Sequence, residues 1–157
     1  MYDLDRFINA QRNYYDTAYK EIKSGKKRSH WIWFIFPQMR GLGFSYDANY
    51  YGIKSKLEGL AYYNNDYLKN NLINITNALL ENNNDIIDIV GYPDNLKIKS
   101  SMTLFYYVTN NILFKNVIDK FYNGEFDDLT IKILEVFNDK DIETIDDYNI
   151  IEELRYK

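Results

Sequence analysis

Cysteine is absent from the chain, which removes disulfides, thiolate metal sites and a cysteine nucleophile together. Histidine occurs once, at His30, so zinc motifs built on paired histidines are excluded too. A site made of carboxylates alone, for Mg²⁺ or Ca²⁺, stays open on this ground, but no spacing of acids marks one and no metal is expected. Only two prolines and seven glycines punctuate the sequence, with no repeat and no low-complexity linker. The longest apolar run, Trp31 to Pro37, falls far short of the ~20 residues that a membrane-spanning helix needs. No charged-then-apolar leader opens the chain, so a cytoplasmic protein without a membrane partner is expected. Walker loop, dinucleotide glycine fingerprint and nucleophile elbow are all missing, so no cofactor is expected either.

What is present is an ordinary globular composition. Hydrophobic residues make up 46% and charged residues 27% of 157 residues, enough for one domain, residues 1–157, with a real core. The formal net charge of −4 is unevenly spread. Between Lys20 and Arg40 six cations face one acid, whereas from Glu125 onward eleven acids face four bases. A chain without a strong basic excess is not expected to bind duplex nucleic acid. The local basic patch suits a small anion or a solvated helix end.

Helical spacing dominates. Leu4, Phe7, Ile8, Tyr14, Ala18 and Ile22 predict one amphipathic helix from Asp3 to about Ser24, stopped by Gly25. Trp31 to Phe36 is apolar on every side and reads as a short buried helix, with a turn at Gly41 and Gly43. Ser55-Lys56-Leu57-Glu58 is a capping box that starts a helix near Lys56 and carries it to about Tyr63. Asp66 is expected to cap the next helix, and Ile86 to Val90 to form a short apolar link. Asp94 is expected to cap a helix holding Leu96, Met102, Phe105 and Val108. Leu113 to Tyr122, Asp127 to Phe137 with Asp127 as cap, and Thr144 to Leu154 complete the set. No segment alternates in the manner of a strand. The expected fold is all-α, a compact single-domain bundle of about seven helices with short connections.

Two blocks carry the chemistry. In the first, Lys27 and Arg28 supply charge, Ser29 and His30 hydrogen bonds, and Trp31 or Trp33 a stacking face. Tryptophan inside an apolar run is more often core, and a lone histidine more often structural than catalytic. Gln38 and Arg40 follow, the arginine beside a glycine that lets a ligand approach. In the second block Lys97, Ser100 and Ser101 share one helical stripe near a helix start, a reasonable phosphate cradle or else a solvated polar face. Arg28, His30, Arg40, Lys97 and Ser101 are expected to converge on one concave surface. Glu58, Asp94 and Asp127 read as caps rather than catalysts, and no catalytic residue can be named.

Taken together these blocks resemble the bacterial and fungal family called domain of unknown function 1810, over residues 4–134. The resemblance rests on Leu4-Asp5-Arg6-Phe7, Lys27-Arg28-Ser29-His30-Trp31 through Gly43, Tyr51-Gly52-Ile53, Gly91-Tyr92-Pro93-Asp94, Leu96-Lys97 with Ser100 to Phe105, and Asp119-Lys120-Phe121-Tyr122. It implies a compact all-helical fold and carries no established activity. The chain departs from the pattern at Asn64-Asn65, where relatives tend to have histidine and proline, and at Gly59, where alanine is usual. The acidic stretch from residue 135 to 157 lies beyond it. A fainter similarity, from Lys97 through Met102 to Lys120-Phe121 and Leu134, is to the NADAR family, associated with ADP-ribose and N-glycosidase chemistry.

The expected function is binding of a small anionic, nucleotide-like molecule in a basic and aromatic pocket, with ADP-ribose-related ligands implied by that fainter similarity. The alternatives are an N-glycosidase or hydrolase acting on ADP-ribosyl or NAD-derived compounds, and a helical protein–protein interaction module. The sequence says nothing of oligomeric state.

Overall fold

Ten α-helices and no strand make up the computed structural model, which describes residues 1–157. They run α1 (Asp5–Ser24), α2 (Ile32–Ile35), α3 (Tyr46–Tyr50), α4 (Lys56–Asn64), α5 (Asp66–Leu80), α6 (Ile86–Val90), α7 (Asp94–Thr109), α8 (Ile112–Phe121), α9 (Asp128–Val136) and α10 (Ile145–Arg155). The count exceeds the expected seven or so chiefly because two one-turn helices, α3 and α6, are too short to show a hydrophobic period. In α3 only Ala48 is buried, so no apolar stripe announces it.

Local chemistry explains where most elements begin and end. α1 closes on Gly25 at φ 81°, with Gly25 N–H on Ile22 O and Lys26 N–H on Glu21 O, both at 3.0 Å. This paired closure needs a left-handed residue, which glycine supplies without strain. Ser55 accepts from Glu58 N–H at 3.2 Å, as the capping box requires, but the glutamate does not return the bond to Ser55. Its Oε1 accepts instead from Lys54 N–H at 2.8 Å. Asn65, not Asp66, caps α5 by accepting from Leu68 N–H at 3.1 Å. Asp94 caps nothing, since Pro93 stands at the cap position of α7. α10 has a full capping box, with Thr144 and Asp147 bonding each other's backbone.

α7 is the hub, packed against α2, α4, α6, α8 and α9, while α1 lies on α2 and α5. A cluster of 32 buried apolar residues runs through these contacts. Aromatic rings form its spine: Phe7 meets Tyr62 edge-on at 5.0 Å, Tyr62 meets Phe105 at 5.3 Å, and Phe105 meets Phe114 at 5.8 Å. Such pairs add about 0.5–1.5 kcal/mol each beyond area burial.

Two polar groups sit inside this core and are fully engaged. Arg6 forks onto Glu58 at 2.9 and 3.0 Å, and also donates to the carbonyls of Tyr50 and Gly52. It therefore ties α1 to α4 and to the chain leaving α3. Gln11 donates to Phe34 O and Tyr62 Oη and accepts from Asn71, joining α1, α2, α4 and α5. A short parallel bridge, Met39 to Ile53, pins the segment after α2 beside the segment after α3.

Candidate functional site

The first conspicuous block is organised by an acid that precedes it. Glu21, near the end of α1, accepts from Arg28 N–H, Ser29 N–H, Ser29 Oγ and Trp31 Nε1 at 2.6–3.0 Å. Burial pushes its carboxyl up, but the bonds from Ser29, Arg28 and Trp31 outweigh it and hold the group down at about 2. The Arg28–Trp31 loop is thus wrapped around one carboxylate. Ser29 spends its hydroxyl there. Trp31, fully buried, is core and offers no face to a ligand.

Lys27 is also committed. Its Nζ stands 2.9 Å from Asp94 Oδ2 and 5.0 Å from the centre of the Trp31 ring. Asp94 Oδ1 in turn meets Lys97 Nζ at 3.3 Å, and Lys97 lies 5.2 Å over Trp33. One carboxylate therefore serves two lysines, each set over its own tryptophan.

Beyond Lys97 opens a cavity of about 360 Å³, at the small end of the ~300–1,000 Å³ usual for small-molecule sites. Trp33 from α2 and Gln38 after it form one side; Leu96, Lys97 and Ser100 from the first turns of α7 form another. Phe44 and Ser45, Asp127 before α9, and Arg155 from α10 complete the wall. Arg155 donates to the carbonyls of Gly41 at 3.3 Å and Leu42 at 3.5 Å, and its guanidinium carbon lies 5.4 Å from the Phe44 ring.

Of the residues singled out in the sequence, Gln38, Lys97 and Ser100 line this cavity. The five expected to converge do not: Lys97 alone among them is on its wall. Arg28 and His30 face solvent on the outer side of the Glu21 loop. Arg40 points toward the chain before α10, its Nη1 3.5 Å from Ile142 O. Ser101, one residue past Ser100, is fully buried with its Oγ unpartnered, because a 100° step carries it from the cavity side into the core. The two tryptophans divide the roles left open between them, Trp31 to the core and Trp33 to the cavity wall.

Asp127 and Arg155 are cavity residues that sequence reasoning missed. Asp127 occupies the cap position of α9, which is how it reads in sequence, but makes no capping bond. Its Oδ2 accepts instead from Ser100 Oγ at 3.0 Å and from Thr130 Oγ1. Arg155 sits in the acidic tail, with no local signal of its role. No group of three or more histidine and carboxylate side chains is arranged to hold a metal ion, and no helix is long and apolar enough to cross a membrane.

An all-helical protein with a cation-bearing cavity at the start of its central helix is the class that fold and site define. The chain belongs to the family described as protein of unknown function (DUF1810), whose model matches residues 1–134. It is similar to the conserved hypothetical protein Rv1873 from Mycobacterium tuberculosis, known from a crystal structure. The two share 42% identity with a TM-score of 0.83, over 85% of this chain and 96% of that one. No curated protein matches the sequence. α10, and with it Arg155, lies outside the residues that the family model matches.

Proposed function

We propose that the cavity at the start of α7 binds a small anion that carries a planar group, a nucleotide-like molecule. The observation that carries this reading is the pairing of Lys97 and Arg155, cations from two elements far apart in sequence, around a cavity that the Trp33 indole also lines. An ammonium and a guanidinium supply complementary donors to a phosphate, and an indole supplies a face for a base. Gln38 and Ser45 add neutral hydrogen-bonding groups to the same wall.

The reading is tested by thermal shift and calorimetry with AMP, ADP-ribose, NAD and inorganic phosphate. A ligand at a hundred times its dissociation constant adds about 2.7 kcal/mol to the stability of the folded state. Lys97→Ala should weaken the nucleotide that binds by about 1.5–3 kcal/mol, the range for charge-assisted hydrogen bonds. Its own melting temperature should stay close to wild type, since the lysine is a partly exposed cation. Failure of all four probes to shift the protein would overturn the reading in favour of an interaction module. Conversion of NAD or ADP-ribose above background would move it to a hydrolase at the same cavity.

A further inference from the structure

We infer that the corner of the cavity formed by Ser100 and Asp127 is a subsite for a vicinal diol, so that the anion is one carried on a ribose. This rests on the anion reading above and names the part of the ligand that the cations do not.

Asp127 is the feature that anion binding alone leaves unexplained. A carboxylate on the wall of an anion site repels the ligand unless it meets something that donates hydrogen bonds. Nor does it cap its helix in the usual way, since its carboxylate accepts no backbone N–H of α9 and meets the first turn only through the Thr130 hydroxyl. Its position is instead fixed from three sides: Ser100 Oγ and Thr130 Oγ1 both donate to Oδ2, and its own N–H donates to Thr103 Oγ1 at 3.0 Å. Thr103 and Thr130 are fully buried and Ser100 nearly so. Holding one oxygen of the carboxylate in this way leaves Oδ1 without a protein donor.

The chemistry of Ser100 extends the argument. Its hydroxyl has one hydrogen and lies within reach of both Asp127 Oδ2 and Leu96 O, at 3.0 and 3.1 Å. With that hydrogen committed inward, the remaining lone-pair capacity of Oγ accepts. Asp127 Oδ1 and Ser100 Oγ are then two neighbouring acceptors with no donor between them. Two adjacent hydroxyls on a sugar ring supply two donors. A second phosphate supplies none and would be repelled.

The cavity is thereby polarised. Lys97 and Arg155 attract the phosphate, and Asp127 rejects negative charge while accepting from neutral hydroxyls. A ligand with both parts is oriented by that opposition. Sites built to hydrogen-bond a hydroxyl discriminate against analogues that lack it, because the acceptors lose their ligand donors.

The experiment compares AMP with 2′,3′-dideoxy-AMP, equal in charge and base, by calorimetry on wild-type protein and on Asp127→Asn. Wild type should bind AMP at least about tenfold more tightly than the dideoxy compound. Asp127→Asn keeps an oxygen for Ser100 and Thr130 but turns an amide N–H₂ toward the diol. It should fold with an unchanged helical spectrum and bring the ratio down to about one, chiefly by losing AMP. Equal binding of both nucleotides to wild type would leave the anion site standing and overturn the diol subsite. Binding of neither would overturn the diol subsite, and the anion reading with it if ADP-ribose, NAD and phosphate are silent as well. A ratio that survives Asp127→Asn would place the discrimination elsewhere and overturn the role of Asp127.

Discussion

The Arg6–Glu58 fork shows how much one residue holds in this molecule. Both side chains are within 3% of complete burial, and the arginine also satisfies two carbonyls after α3. Arg6→Met leaves a carboxylate buried without its partner, and should cost about 3–5 kcal/mol in urea denaturation. Adding Glu58→Leu should recover only part of that loss, because the Tyr50 and Gly52 carbonyls and the Lys54 N–H stay unpaired. Glu21 makes a different prediction, in pH. Its carboxyl is held at about 2 in the folded chain against about 4.3 when unfolded. The stability it contributes is therefore complete above about pH 4.3 and lost as pH falls through about 2. Asp147, held low first by Lys140 and then by the N–H groups of Glu143 and Thr144, adds to the same acid loss. Glu21→Gln should be less stable than wild type at pH 7, and the gap should close as denaturation is measured at successively lower pH down to 2.

At the scale of elements, the last helix has a reach that its composition hides. α10 reads as a solvated acidic surface, yet Ile151 is buried against Gly41 and Arg155 stands on the cavity wall. Gly41 has a φ of 96°, and a Cβ placed on it would stand 2.4 Å from Ile151 Cδ1, so turn and helix fit only because no side chain intervenes. Ile151→Ala should destabilise the protein by about 2–5 kcal/mol, as a buried isoleucine cut to alanine does, and loosen the Arg155 contacts with Gly41 and Leu42. Thermal unfolding of the variant beside Arg155→Ala, which should change stability far less, separates packing from charge. The elements legible in sequence were those with recurring apolar positions, a cap or an unbroken apolar run: α1, α2, α4, α5, α7, α8, α9 and α10. α3 and α6 were not, for want of turns. Caps were legible as a residue type but not always as the right residue, since Asn65 and Asp66 both qualify and only the backbone entry angle decides between them.

For the molecule as a whole, the all-helical fold could be read because burial periodicity is local, whereas the cavity could be read only in part because its walls come from five places in the chain. Lys97 and Ser100 share a helix face and so announced each other. Trp33 and Gln38 came from the other conspicuous block. The pairing of Lys27 with Asp94, the wrapping of residues 28–31 around Glu21 and the arrival of Arg155 all depend on tertiary approach, which spacing along the chain does not encode. The resulting cavity is mechanically lopsided. One side is the hub helix, pressed between five neighbours and without room to yield. Another wall is the segment from Gly41 to Ser45, whose Phe44 is 78% exposed, with the Arg155 guanidinium carbon 5.4 Å from its ring. A guest would therefore meet a wall of many packed neighbours on one side and, on the other, a short segment whose Phe44 ring is the part left free to adjust. Amide hydrogen exchange on binding should therefore slow between residues 41 and 45, while α7, packed against five other helices, should register the guest chiefly through the rise in global stability.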